Sequence, residues 1–178
     1  MELRATFQIP TLIKAMTDVV LPALDPNNKL AQEQAQLILG SLHLIAQRLP
    51  LQYRYDRHEL GSFLTLAEQL EGLSGDASEL VEAVALLRAA STSGSDVLAR
   101  AGADPGELEA ANLAMRESIG AVIQSSSALK DENLRKRVES AVMAHARDML
   151  LRERSWLAMQ GWEGKNAPLP AVETLITP

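Results

Sequence analysis

The residue types best suited to binding or catalysis are concentrated in one short stretch in the first third of the chain. Six consecutive positions hold both tyrosines, two arginines and a histidine: Tyr53, Arg54, Tyr55, Arg57 and His58. A new helix is expected to begin here, and a helix N-terminus attracts anions through its free N–H groups and its dipole. Arginine adds bidentate recognition of carboxylate or phosphate. The stretch predicts a site that binds an anion or contacts a partner; the alternative is a capped loop whose tyrosines cover the end of a bundle.

A second group of arginines and tryptophans lies late in the sequence. Its members are Arg147, Arg152, Arg154, Trp156 and Trp162. Tryptophan and arginine are the residue types most enriched at the energetic centres of protein interfaces. The group therefore predicts a contact surface, and the alternative is a pair of core tryptophans flanked by surface charge.

The three histidines decide whether metal chemistry is expected. A di-metal carboxylate centre in a helix bundle needs Glu-x-x-His on two helices, but the residues three positions before His43, His58 and His145 are Gly, Tyr and Val. The sequence has no His-Glu-x-x-His pattern and no cysteine, so zinc ligation is not expected either. We interpret His43 and His145 as core or interface histidines. The weaker alternative is that one of them is a catalytic base.

Glycine-rich phosphate loops and the G-x-S-x-G nucleophile motif are absent from the sequence. We therefore predict no catalytic residue, no metal and no cofactor. The net charge of −6 argues against nucleic-acid binding, which needs clustered Lys and Arg to neutralise phosphates. No apolar run is long enough to span a membrane, and the N-terminus lacks the pattern of a signal peptide. The sequence thus predicts a cytoplasmic protein with no membrane segment.

The elements that must position these residues are helices. Hydrophobic residues make up 47 % of the chain but aromatics only 3 %, a composition typical of helix–helix packing. Start signals occur at Asp25-Pro26, Asp56-Arg57-His58-Glu59, Asp76-Ala77-Ser78-Glu79, Asp104-Pro105-Gly106-Glu107 and Asp131. Apolar residues recur at helical spacing after each signal, and a proline-containing helix near Pro10 precedes them. The pattern predicts an all-α fold, a single-domain antiparallel bundle of about six helices over residues 1–164, with an extended tail at 165–178.

Several details of the predicted bundle follow from apolar patterning. The second helix is apolar on nearly every side around residues 37–46, which is typical of a buried helix, so we expect it to be the central element. Ser91-Thr92-Ser93-Gly94 is expected to interrupt the fourth helix. The last helix carries two apolar stripes, which indicates that it is sandwiched or meets a partner subunit.

The first fifty residues resemble a known family. Ile9-Pro10-Thr11-Leu12, Val20-Leu21-Pro22-Ala23-Leu24 and Leu42-His43-Leu44-Ile45-Ala46-Gln47-Arg48 are similar to a bacterial family of uncharacterised all-helical proteins, a domain of unknown function. Its genes lie near those of aminoglycoside-phosphotransferase-like kinases and acyl-CoA dehydrogenases. The resemblance covers about a quarter of the chain. It implies an accessory role and supplies no functional residues.

Together these patterns predict a non-enzymatic helical protein that binds another protein or forms a homo-oligomer. The last helix and the Tyr53–His58 stretch are the expected contact regions. The alternative is a bundle that binds a small molecule or an acyl ligand in a cavity left by its Leu, Met and Val side chains.

Overall fold

Helices account for the regular structure of the part of the chain that the computed structural model describes, which comprises residues 4–75, 77–161, 163–164 and 168–176. The helices are α1 (Ala5–Ala15), α2 (Lys29–Arg48), α3 (Gln52–Ser74), α4 (Val81–Ala99), α5 (Pro105–Ser126) and α6 (Glu132–Leu157). No strand occurs among these residues, and the predicted all-α fold is confirmed. None of the described helices has the length and apolar character required to cross a membrane.

Local capping explains several helix boundaries. The capping box at the start of α5 is confirmed, because the Gly106 amide donates to Asp104 Oδ1 at 2.8 Å and the Asp104 amide donates to Glu107 Oε2 at 3.0 Å. Asp131 caps α6 as predicted, accepting from the Asn133 amide at 2.8 Å. Such side-chain acceptors satisfy amides that have no partner within the helix.

Two other predicted helix starts are wrong. Helix α2 begins after Asn28, which accepts from the Ala31 amide at 3.1 Å, and not at Asp25-Pro26. Helix α3 begins at Gln52, so the predicted capping residue Asp56 lies inside it. Pro10 also lies inside its helix, and a π-helical turn over Met16–Val20 follows α1.

The predicted interruption of α4 at residues 91–94 is wrong. The Thr92 hydroxyl donates to the Arg88 carbonyl at 2.9 Å, which satisfies it without breaking the helix. Gly94 is buried, and a Cβ at this position would lie 3.3 Å from Leu60 Cδ1 and 3.5 Å from Leu64 Cδ2. The glycine therefore serves close packing of α3 against α4, and it does not end α4.

Backbone contacts divide the chain into two compact units, so the predicted domain 1–164 spans both. The first, the N-terminal unit, comprises residues 1–52 and 154–171. The second, the core unit, comprises residues 53–153 and 172–178. Within the predicted tail, Val172–Thr174 form a 3-10 turn, and Val172 and Ile176 are buried.

The core unit has a continuous apolar interior built by α3, α4, α5 and the part of α6 up to Glu153. Its completely buried large residues include Leu60, Leu70, Leu80, Leu87, Leu108, Met115 and Val122. They recur at the i, i+3, i+4 and i+7 spacing that places side chains on one helix face. Apolar residues at helical spacing thus form much of these inward faces, although Val81 and Ile123, which follow the same spacing, are 63 % and 41 % exposed.

The N-terminal unit differs, and here the prediction of a central, buried second helix is wrong. Among the residues of α2, only Ala35 is buried. Leu37 is 62 % exposed and Ile38 is 50 % exposed. Apolar residues on every side of a helix predict burial only if other elements surround it, and α2 keeps one apolar face uncovered.

The packing role of Gly94 gives a test of the core. We expect Gly94→Val to lower the free energy of unfolding by about 1–3 kcal/mol, because the added methyl groups must displace Leu60 and Leu64. The measurement is urea denaturation followed by circular dichroism. Gly120→Val is the matched control, since nothing lies within 4 Å of a Cβ at that helical glycine; equal stability of the two variants would contradict the packing role.

Candidate functional site

Tyr53 and Arg57 of the predicted anion-binding stretch serve the fold. Both lie in the first two turns of α3. The Arg57 guanidinium donates to the carbonyl of Leu98 at 2.7 Å and to that of Arg100 at 3.2 Å, and it thereby caps the C-terminal end of α4. The Tyr53 hydroxyl donates to the Ala103 carbonyl at 3.2 Å. These two side chains hold the α4–α5 loop.

Arg54 contacts the C-terminal segment of the core unit. Its Nη2 donates to the Glu173 carbonyl at 3.3 Å, and its Nε is buried with no hydrogen-bond partner in the described chain. Arg54 therefore ties the 3-10 turn at Val172–Thr174 to the start of α3.

The remaining two residues of the stretch, Tyr55 and His58, lie beside Arg152 of α6. A side-chain hydrogen bond joins Tyr55 to Arg152, and the charge of Arg152 acts on His58. Tyr55 and His58 of the first predicted group are thus close in space to Arg152 of the second, although about 95 positions separate them in the sequence.

His58 and Arg152 line a cleft of about 310 Å³ that we call the α3–α6 cleft. Its other lining residues are Ser62, Thr65, Leu66, Gln69, Ala141, Ala144, His145 and Asp148. On each helix these residues recur three or four positions apart and so share one face. Ala141 and Ala144 have small side chains, which leaves room between the helices. Seven of the ten lining residues have polar or charged side chains, and Leu66, Ala141 and Ala144 add apolar surface.

Ser62 and His145 form the closest polar pair in this cleft. Ser62 Oγ lies 3.3 Å from His145 Nδ1, and the His145 ring packs against Phe63 with ring centroids 5.3 Å apart. Nε2 of His145 is buried and has no hydrogen-bond partner among the residues described. A nucleophilic serine needs a base that is itself oriented by a third group. Among the described residues, no third group accepts from or donates to Nε2 of His145.

Arg152 has the most unusual environment in the cleft. It is only 5 % exposed, and neither its Nε nor its Nη2 has a hydrogen-bond partner within the described residues. Glu59, whose charge acts on Tyr55 and His145, accepts from Arg116 Nη2 at 2.6 Å. A buried charge is costly unless it is paired, so these two nitrogens mark a place where an anion would be stabilised.

Burial and the charge of Arg152 change the pKa values of the two histidines in the cleft. Burial lowers the pKa of His58 below its ordinary value, and the positive charge of Arg152 lowers it further. The pKa of His145 is lowered by the same two causes in the same order, while the carboxylates of Asp148 and Glu59 partly oppose them. Both imidazoles are therefore neutral at pH 7.

The pKa of Tyr55 is shifted in the opposite direction, upward. Burial raises the pKa of its phenol above the ordinary value, and the negative charge of Glu59 adds to this effect. The phenol therefore keeps its proton at neutral pH, and Tyr55 contributes a polar, uncharged group beside Arg152.

The predicted contact surface of α6 is divided. Arg147 is exposed. Trp156 belongs to the N-terminal unit, where the Arg48 guanidinium lies 5.2 Å from its ring centroid and donates through Nε to its carbonyl at 2.9 Å. Trp162 lies outside the described residues.

His43 is exposed on α2, in contrast to the core position considered for it.

A second candidate surface lies on the N-terminal unit. Four exposed residues of α2 form what we call the α2 stripe: Leu30 (67 % exposed), Leu37 (62 %), Ile38 (50 %) and Ile45 (47 %). At 100° per residue they fall within an arc of about 100°, and the residues that share this arc between them, Gln34 and Ser41, are uncharged. On α1 and the following turn, Phe7, Leu12 and Val19 are also more than half exposed. Sequence reasoning missed this surface because it assigned these residues to the core.

Metal binding has no support in the described part of the chain, where no three His, Asp or Glu side chains are grouped so that they could hold an ion. Comparisons with protein-family models, with curated proteins and with solved structures return no match for this chain. The family resemblance of the first fifty residues therefore stays a prediction, and the function must be inferred from the two surfaces.

The cleft histidines predict how stability responds to pH. Because their pKa values are lower in the folded chain than in the unfolded chain, the unfolded state binds more protons as the pH falls below about 6.5. The stability present at pH 7.5 should therefore decrease toward pH 5.5. In the double variant His58→Gln, His145→Gln this decrease should be smaller.

The measurement is urea denaturation at both pH values. His43→Gln is the matched control, since this histidine is exposed and its replacement should leave the pH dependence of the wild type unchanged. An equal loss of stability in the double variant and the wild type would contradict the role of the cleft histidines.

Proposed function

We propose that this chain is a non-enzymatic interaction protein that associates with a second copy of itself through the α2 stripe. The observation that carries the proposal is the exposure of four large aliphatic side chains along one face of a 20-residue helix. Monomeric proteins rarely leave a contiguous apolar patch of this kind uncovered, and such patches mark interaction sites. Burying one of these side chains contributes about 1.5–3 kcal/mol when it is fully exposed beforehand.

The order of residues along the α2 stripe favours a second copy over another partner. The stripe is symmetric about the point between Leu37 and Ile38. If two copies of α2 pack antiparallel around a two-fold axis at that point, Leu30 faces the partner's Ile45, and Leu37 faces the partner's Ile38. Gln34 then faces the partner's Ser41. A two-fold interface requires this kind of self-complementary surface.

Charge also permits the association. The segment up to residue 52 holds four basic and four acidic residues, whereas the whole chain has a net charge of −6. The excess of negative charge therefore lies outside the segment that carries the α2 stripe. Two copies can meet at this face without the like-charge repulsion that a contact between their acidic regions would bring.

The proposal includes a cytoplasmic protein with no nucleic-acid partner; both features stay predictions from the sequence. The predicted contact regions, the Tyr53–His58 stretch and the late arginines, are not needed for this association. The alternative of an acyl-ligand bundle is not favoured by any observation on the described clefts.

A charge placed on the α2 stripe should abolish association. Wild type is expected to have the mass of a dimer in light scattering after gel filtration, with dissociation on dilution. Leu37→Asp, Ile38→Asp would place four carboxylates around the proposed two-fold axis and should give a monomer with unchanged helix content. Leu113→Asp, at a residue of α5 that is 55 % exposed, is the matched control and should stay dimeric. A wild type that is monomeric at all concentrations would overturn the proposal.

Cross-linking tests the antiparallel register, because the chain has no native cysteine. Mixed Gln34→Cys and Ser41→Cys proteins should form a disulfide between unlike chains faster than either variant does with itself. In a parallel pair each position would instead face its own counterpart and the single variants would cross-link best. That result, or capture of a different protein in place of a second copy, would contradict the proposed symmetry.

A further inference from the structure

A buried arginine with two unpartnered nitrogens is the feature of the core unit that the dimer proposal leaves unexplained. Arg152 is 5 % exposed and lines the α3–α6 cleft. Its Nε and Nη2 have no hydrogen-bond partner in the described part of the chain. Tyr55 contacts the guanidinium but is neutral, so it does not compensate the charge. Burying two guanidinium nitrogens without hydrogen-bond acceptors is unfavourable.

The two unpartnered nitrogens form one edge of the guanidinium, and other arginines show what this edge binds. Arg154 donates through Nε and Nη2 to the two carboxylate oxygens of Glu163, at 2.8 and 2.6 Å. Arg48 donates through the same two nitrogens to the carbonyls of Trp156 and Ser155, at 2.9 and 3.2 Å. In Arg152 the equivalent edge is buried and unoccupied by any described side chain. Its fork geometry matches two oxygens of one acid group.

The cleft supplies further donors next to this edge. Ser62 has a hydroxyl that is within 3.3 Å of His145 Nδ1. If that hydroxyl donates to Nδ1, Nε2 of His145 carries the ring proton, and Nε2 is buried and unpartnered among the described residues. His58 lines the same cleft. The volume of about 310 Å³ is at the lower end of the range for small-molecule sites.

We propose that the α3–α6 cleft binds a small carboxylate, held by the Nε and Nη2 edge of Arg152 and by Nε2 of His145. This site is separate from the α2 stripe, and it places the predicted anion binding at Arg152 and not at Arg54 or Arg57.

The charge of the cleft selects a carboxylate over a phosphate group. The two imidazoles are neutral at pH 7 because burial and Arg152 lower their pKa values. Asp148 adds a negative charge to the lining. The Asp148 carboxylate repels a dianion more strongly than a monoanion, so a monoanion is the better match for the single guanidinium. A planar carboxylate also matches the two-nitrogen edge without leaving further oxygens unpaired.

Titration of the full chain with sodium acetate, at constant ionic strength adjusted with sodium chloride, tests the site. The readout is the ¹H–¹⁵N signal of Arg152 Nε, which should shift and saturate. Sodium phosphate at pH 7.5 should bind at least tenfold more weakly. Arg152→Gln should lose the saturable response of the cleft backbone amides. Arg147→Gln removes the same charge from an exposed position on α6 and should keep it.

Arg152→Lys distinguishes the two-nitrogen edge from charge alone. It retains the positive charge but lacks the fork, and its affinity for acetate should fall at least tenfold. It also serves if Arg152→Gln fails to fold, as judged by circular dichroism. A response to acetate that is linear, or that is equal in wild type and Arg152→Lys, would overturn the site. Tighter binding of phosphate than of acetate would overturn the carboxylate assignment.

Discussion

The burial of leucine side chains between α3, α4, α5 and α6 is the constraint on which the described core unit depends. Leu60, Leu87 and Leu108 have no exposed surface, and each comes from a different helix. Their packing is close enough that α4 carries a glycine where α3 approaches it. Because protein interiors are packed as densely as organic crystals, this interior fixes the faces that the four helices turn outward. The α3–α6 cleft is one consequence, since two alanines on α6 lie where a larger residue would fill the gap.

The two units use apolar residues in different ways. In the core unit, a set of leucine, valine and methionine residues is covered by neighbouring helices, although Val81, Leu86 and Leu113 stay more than half exposed. In the N-terminal unit, α2 presents leucine and isoleucine to solvent, and the residues that lie between them on this face, Gln34 and Ser41, are uncharged. The hydrophobic effect acts on both sets of residues, so covering the exposed side chains of α2 would be favourable. The symmetric order of the α2 stripe makes a second copy the simplest partner.

The arginines show a related contrast. Arg57 and Arg48 donate to carbonyls and hold chain segments together, and Arg154 and Arg116 pair with carboxylates. These contacts are a sufficient structural reason for the presence of these four arginines. Arg152 is more deeply buried than the others, yet two of its nitrogens remain unpartnered among the described residues. This difference from the paired arginines supports a binding role for the cleft.

Local sequence predicted that the chain forms helices and which of their faces are apolar, because capping residues and a 3.6-residue repeat act over a few positions. The capping box at Asp104 and the inward face of α3 are examples, whereas the starts of α2 and α3 were predicted at the wrong residues. Which apolar faces are covered depends on tertiary packing, since the residues of α2 are as apolar as those of α3 but few of them are buried. Tertiary packing also decided that His58 and Arg152 share a cleft. No local spacing contains that information, because residues so far apart in the chain meet only through the packing of α3 against α6.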